Sequence, residues 1–277
     1  MTTTTTTSTT TTTATESAQN IGIVDLVRMG TAIAENILKS GFKVVVYNRN
    51  EEKTVPLTEL GATKAKTPKE VALKSDIVVS SWRDNAAVLD VVSGHDGILS
   101  GLQPNKVHIG TSTISPSLST KLAGMHEKNG STYLAAPVLG NPAAAKEAKL
   151  TTIVAGDMAS IKKYERMFKS YSQRIKGNRT CKSQQIKACY QLCSGCIAGT
   201  IGQVYSLAEK SGLDLQVTNE LINMIFAYPG LKQYSERIRN LDFDNVGFDL
   251  STAFKDLQLI LETSAEVSTP SFCQLRK

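Results

Sequence analysis

From Ile21 onward, short apolar runs alternate with segments whose apolar residues recur at helical spacing. Ile21–Leu26, Lys43–Tyr47, Asp76–Ser80, Lys106–Gly110, Thr132–Ala135 and Leu150–Ala155 read as strands. Brief, β-branched runs set between polar segments suit strands covered on both faces. Between them, Thr31–Ser40 places Ile33, Ala34, Ile37 and Leu38 on one helical face, and Gly41 stands at the C-cap position. Pro68–Lys74, Ala86–Val92 and Pro116–Asn129 are the other helices of this part. Alternation of this kind predicts an α/β fold with a doubly wound parallel sheet.

After about Gly177 the strand pattern stops. Ser183–Ser211 reads as one long helix, followed by helices over Val217–Ala227, Tyr234–Arg239 and Leu250–Glu266. A boundary near Cys181 therefore divides an α/β domain, residues 21–180, from an all-helical domain, residues 181–277. Ahead of both, Met1–Asn20 is mostly Thr and carries no Lys or Arg, which reads as a disordered tail. It has neither the apolar core of a secretory signal nor the arginines of a transit peptide. No stretch approaches the roughly 18 apolar residues of a membrane span. The expected location is the cytoplasm, with no membrane partner.

Composition refines this little. With 41% hydrophobic residues the chain can bury a sizeable core. The net charge of +6 suits an anionic ligand, but the excess is spread thinly, so no nucleic-acid partner is expected. Cys189, Cys193 and Cys196 have the spacing of an iron–sulfur site. They also fall at i, i+4 and i+7 of the predicted long helix, where small cysteines pack as buried residues. That is the preferred reading. His95, His108 and His126 are scattered along the chain with no ligand spacing, so no metal is expected.

The turn after the first strand carries the candidate chemistry. A strand, a tight turn and a helix opening at Met29-Gly30 is the layout that holds a dinucleotide pyrophosphate on glycine backbone and a helix N-terminus, in a Rossmann-type domain. The fingerprint Gly-x-Gly-x-x-Gly reads here Asp25-Leu26-Val27-Arg28-Met29-Gly30, so only the third glycine is present. Asp25 adds a carboxylate that repels phosphate, and Val27 adds bulk where backbone should approach; Arg28 is a candidate replacement phosphate ligand. About 18 residues beyond Gly30 the second strand ends in Asn48-Arg49. An acidic residue there would bind the ribose 2′-hydroxyl of NAD; an arginine favours the 2′-phosphate of NADP. The other reading of Arg49 is an ordinary surface arginine.

Several separated motifs, in order, resemble the beta-hydroxyacid dehydrogenases, including hydroxyisobutyrate dehydrogenase and glyoxylate reductase, with imine reductase features. They are Met29-Gly30 and Tyr47-Asn48-Arg49, Ser112 to Pro116, Ala136 to Pro142, Gln184 to Lys187, Leu207 to Asp214, and Phe254 to Leu257. The resemblance implies a homodimer or larger, a small-molecule substrate, and hydride transfer between NADP(H) and a carbonyl, hydroxyl or imine carbon. It implies Lys187 as general acid/base. Ser112 and Thr113 match positions beside nicotinamide and substrate; Trp82, Arg83 and Lys255 match positions near the cofactor. Leu139, Gly140 and Asn141 match the substrate-acid loop, with Leu139 replacing a hydroxyl donor, and Gln191 takes the place of an Asn. The family carries a further helix beyond the position of Lys277, so a shortened helical domain is expected.

Two functions follow. One is an NADPH-dependent reductase. The other is a catalytically silent binding or scaffold protein that keeps the fold, a reading favoured by Asp25 and Val27.

Overall fold

The computed structural model describes residues 19–26, 28–178, 182–225, 235–242 and 249–268. Most of the Thr-rich tail, Val27 and Cys181 lie outside the described residues, although Asn20 already belongs to the first strand. The chain opens with β1 (Asn20–Val24), α1 (Arg28–Lys39) and β2 (Lys43–Tyr47), then a 3-10 turn (Glu51–Thr54), α2 (Val55–Glu59) and β3 (Thr63–Lys64). It continues through α3 (Pro68–Lys74), β4 (Ile77–Ser80), α4 (Asn85–Ser93), α5 (Ile98–Gly101), β5 (Val107–Gly110), α6 (Pro116–Lys128) and β6 (Thr132–Ala135). Next come β7 (Val138–Leu139), α7 (Pro142–Lys146), β8 (Leu150–Ala155), α8 (Met158–Lys163), α9 (Glu165–Tyr171) and β9 (Ser172–Asn178). The helical part holds α10 (Ser183–Lys210), α11 (Leu215–Ile225), a helical stretch at 235–239 and α12 (Leu250–Glu266).

The local causes are visible in the caps. Gly41 ends α1 at φ 83°, where its amide reaches the Leu38 carbonyl. Thr67 accepts from the Glu70 amide while Glu70 accepts from Lys66 N–H, holding the start of α3 from both sides. Asp84, Ser115 and Asp157 cap α4, α6 and α8 in the same manner.

The sheet order is β3-β2-β1-β4-β5-β6-β8-β7, with β9 added beside β8. From β3 to β6 every pairing is parallel, as the doubly wound expectation requires. β6 and β7 meet β8 antiparallel, and β9 runs parallel to β8. The two faces carry separate cores. Ile21, Ile23, Ile33, Ile37, Phe168 and Tyr171 are fully buried on the α1/α9 side, and Val71, Val78, Val88 and Leu122 on the α3/α4/α6 side. Each such side chain stabilises by about 1.5–3 kcal/mol. Among the described residues no helix is long and apolar enough to cross a membrane.

Two of the three histidines come together, while His95 is exposed beside Asp96. Ser80 Oγ, His108 and His126 form a buried chain: Ser80 Oγ to His108 Nε2 at 2.8 Å, His108 Nδ1 to His126 Nε2 at 3.0 Å, and His126 Nδ1 to the Leu122 carbonyl at 2.7 Å. A carbonyl only accepts, so His126 donates from Nδ1 and accepts at Nε2. His108 must then donate from Nδ1 and accept from Ser80. Both rings are neutral and tie β4, β5 and α6 together, with Tyr133 packed against each ring. Burial pushes His126 down to about 4, and lowers His108 strongly, with His126 adding to the effect. Between pH 6.5 and 4 the unfolded chain binds protons that the fold does not, so stability is complete above 6.5 and declines as pH falls. Urea unfolding between pH 4 and 7.5 is expected to show a loss of about 3 kcal/mol from His126 alone across that window. In His126→Gln, which cannot titrate there, the loss across that window should shrink by about this amount; an unchanged loss would remove His126 as its cause.

Candidate functional site

The site lies along the carboxyl edge of the sheet, where β1, β2, β4 and β5 end and α10 crosses. At the nucleotide end, Asp25 takes φ 78° and donates its amide to the Tyr47 carbonyl. Asn48 Oδ1 accepts from Leu26 N–H at 2.8 Å, and its amide nitrogen donates to the Asn50 carbonyl, so Asn48 joins the two turns. A Cβ at Gly30 would collide with the Asp25 carbonyl oxygen, which is why α1 can start this close to the strand only with glycine there. Arg28 is exposed at the first residue of α1, and Met29 turns inward against the core. The Arg49 guanidinium lies 5.9 Å from the centre of the Trp82 ring, a cation–π pairing that joins the ends of β2 and β4.

Asp25 is 7% exposed. Burial pushes its carboxyl up to about 6, against opposing pulls from Lys53, the Leu26 backbone and Arg49. The turn therefore holds one titratable acid beside two cations.

At the other end, Trp82 N–H donates to Ser112 Oγ at 2.7 Å, which connects the two halves. Gln184 then clamps the loop after β5: its amide nitrogen donates to the Ser112 carbonyl at 3.0 Å and its oxygen accepts from Ile114 N–H at 3.3 Å. Ser183 Oγ donates to the Ala135 carbonyl at 3.1 Å. These bonds seat the first turn of α10 on the sheet and carry Lys187 inside. Lys187 is 8% exposed and its Nζ donates to the Val138 carbonyl at 2.8 Å, one residue before Leu139. Burial lowers its pKa to about 8; Asp256 works against this and Lys255 adds to it.

Helix α12 closes the other side. Lys255 Nζ donates to the Thr113 carbonyl at 3.2 Å and pairs with Asp256 at 2.6 Å; Asp256 in turn accepts from Gln191. Arg83 donates to Ser251 in the first turn of α12, beside the capping Asp249, whose carboxyl the Ser251 hydroxyl and the Thr252 amide hold well below the usual range. Gly140 sits at φ 133°, where a Cβ would press on Leu150, and Asn141 caps α7 through the Ala144 amide at 2.9 Å.

The structure thus gathers Ser112, Thr113, Lys187, Gln191 and Lys255 at one end and Asn48, Arg49 and Trp82 at the other. Met29 packs against the core, Arg28 is exposed at the start of α1, and Leu139 and Asn141 are engaged in local structure. Sequence reasoning missed Gln184, Asp256 and Lys53. The first two stand inside or beside quoted motifs, and Lys53 follows Arg49 by one helical turn. It also misplaced the cysteines: Cys189, Cys193 and Cys196 are exposed, not buried. The reason is that Ser183, Gln184 and Lys187 anchor a different face of α10. Among the described residues no group of three metal-ligating side chains comes together.

Sheet order, the strand–turn–helix at Gly30 and the following helical layer define a dinucleotide-binding fold of the doubly wound class. Residues 20–186 match the NAD binding domain of 6-phosphogluconate dehydrogenase, and the chain belongs to that family. It is 35% identical over 252 residues to the uncharacterized oxidoreductase YfjR of Bacillus subtilis (strain 168), covering 90% of this chain and 87% of that one. It is 28% identical over 263 residues to cytokine-like nuclear factor N-PAC of Gallus gallus, covering 93% of this chain but 47% of that longer protein. Among solved structures, the 3-hydroxyisobutyrate dehydrogenase of Mycobacterium tuberculosis with L-serine superposes with TM-score 0.80 at 22% identity, covering 92% of this chain and 90% of that one. The imine reductase of Myxococcus stipitatus with NADP+ superposes with TM-score 0.67 at 19% identity, covering 91% and 89%.

Gly30→Ala is expected to cost about 1–3 kcal/mol through overpacking against the Asp25 carbonyl. Urea denaturation checks this. A cost near zero would mean that the turn relaxes freely and does not constrain the start of α1.

Proposed function

We propose that the chain is an NADP(H)-dependent oxidoreductase that interconverts a small carbonyl or imine compound and its hydroxy or amine form, with Lys187 as the general acid/base. The observation that carries this reading is the buried ammonium of Lys187 at the carboxyl edge of the sheet, with its pKa lowered to about 8. An acid near the working pH gives up a proton readily and still holds one at neutrality. In this reading the N-terminus of α1 would hold the pyrophosphate, Arg49, with Trp82 beside it, and Lys53 a 2′-phosphate, and Thr113 would lie toward the nicotinamide. When bound, the nicotinamide supplies or accepts the hydride.

The chain's own groups do the rest. Lys187 holds a proton at Nζ for the substrate oxygen as negative charge develops there. Val138 takes one of its three donors and fixes its aim. Burial keeps the pKa of Lys187 below that of a free lysine, Lys255 adds to this, and Asp256 supports the charged form against both. Gln191 holds Asp256 from the next turn of α10. Leu139, in place of a hydroxyl donor, turns the substrate loop toward an apolar group. A homo-oligomer is part of the same reading: an apolar groove of about 380 Å³ between α10 and α11, with Leu207, Leu213 and Leu221 exposed, suits a second copy. The reading with a silent scaffold is separated by the same tests, since it requires no turnover at all.

Lys187→Ala is expected to lower turnover of a small aldehyde, keto acid or imine by about 10²–10⁴ while NADPH affinity holds. Reduction by the unaltered protein should fall as pH rises through about 8, because the acid form is consumed, and oxidation should rise through the same value. Full turnover in Lys187→Ala would place the acid elsewhere. Arg49→Asp should reverse or abolish a preference for NADPH over NADH; equal affinity for both in the unaltered protein would reject the 2′-phosphate assignment.

A further inference from the structure

Asp25 occupies the position where a dinucleotide fold of this class places its first glycine, and it does so with a side chain that is nearly sealed from solvent. Its backbone already adopts the left-handed geometry that glycine would supply, at φ 78°. Asp and Asn tolerate that region better than other side chains. The substitution therefore preserves the turn and changes the charge. The groups that act on the carboxylate are Lys53 of the 3-10 turn, the Leu26 amide and Arg49 just beyond β2, and α1 opens three residues later, at Arg28. Those same cations and that same helix N-terminus are the groups available to bind a phosphate. A carboxylate among them competes with the ligand.

We propose that Asp25 makes dinucleotide binding proton-linked: one proton is taken from solvent as the phosphates arrive, and the resulting carboxylic acid donates its O–H to a phosphate oxygen. No other bond changes, and charge balances because the proton offsets the carboxylate that the phosphates would otherwise meet. The turn then acts as an acid in the place where related folds use bare backbone. This rests on the dinucleotide reading above. The carboxyl's position near 6 in the free protein means that the proton costs little to add near neutrality.

The test is isothermal titration calorimetry of the whole chain with NADP+ and with NAD+ between pH 5.5 and 8.5, in buffers of different ionisation enthalpy. The expected result is uptake of close to one proton per dinucleotide above pH 7, with Kd weakening by up to about tenfold per pH unit. NAD+ controls for the 2′-phosphate of NADP+, whose own second ionisation near 6 drives affinity in the opposite direction. Asp25→Asn keeps the shape, the left-handed turn and a donor, and should bind NAD+ with a Kd that does not follow pH. Asp25→Gly should also be flat with pH. A flat profile without proton uptake in the unaltered protein, or an unchanged slope in Asp25→Asn, overturns the proposal. If the unaltered protein and both variants bind neither dinucleotide at any pH, the dinucleotide reading itself fails and takes this proposal with it.

Discussion

One buried amide sets the geometry of the reaction end. Gln184 fills both of its hydrogen-bonding roles with main chain of the loop after β5, at Ser112 and Ile114. A side chain that satisfies a carbonyl and an N–H at once fixes both depth and rotation of the helix that carries it. Three residues on, Lys187 is delivered to the Val138 carbonyl. Removing the amide would leave two buried backbone groups unpaired, a cost of about 1–3 kcal/mol for each. The site's ammonium can be buried because its surroundings were positioned first.

That order of dependence explains how a lysine is tolerated in the interior. Desolvation opposes the charged form, and a single carbonyl does not offset it. Asp256 supplies the opposing charge, but it arrives on α12, far away in sequence, and is itself held by Lys255 and Gln191. The acid of the site is therefore assembled from two helices and a strand end. At the nucleotide end the count of charges is the same, one carboxylate, Asp25, beside the two cations Lys53 and Arg49.

Much of the fold could be read along the chain because strands buried on both faces leave short β-branched runs, as in Lys43–Tyr47 and Leu150–Ala155. What stayed hidden had no such trace. β9 (Ser172–Asn178) is largely polar and exists because its backbone completes β8 at the edge, which no side-chain pattern announces. β3 and β7 are two residues each. At the site, Lys187 was legible through ordered motifs, and Arg49 through its place after β2. Asp256 was not, since a carboxylate on an amphipathic helix looks solvated until a partner helix covers it. The pairing of His108 with His126 joins a strand to a helix, and periodicity carries no information about that. The cysteine stripe shows the same limit from the other side: spacing says which residues share a helix face, and never which face is covered.

Helix α10 is 28 residues long, about 42 Å from end to end. Its hydrogen bonds to the sheet gather in the first turns, at Ser183, Gln184 and Lys187. The helix is thus a lever pivoted beside the reaction centre, with its long arm in the helical layer. A tilt of about 5° at the pivot sweeps the far end through about 3–4 Å. Read in the other direction, a shift of that size imposed on the distal turns reaches Lys187 as a few tenths of an ångström, a displacement on the scale of hydrogen-bond alignment.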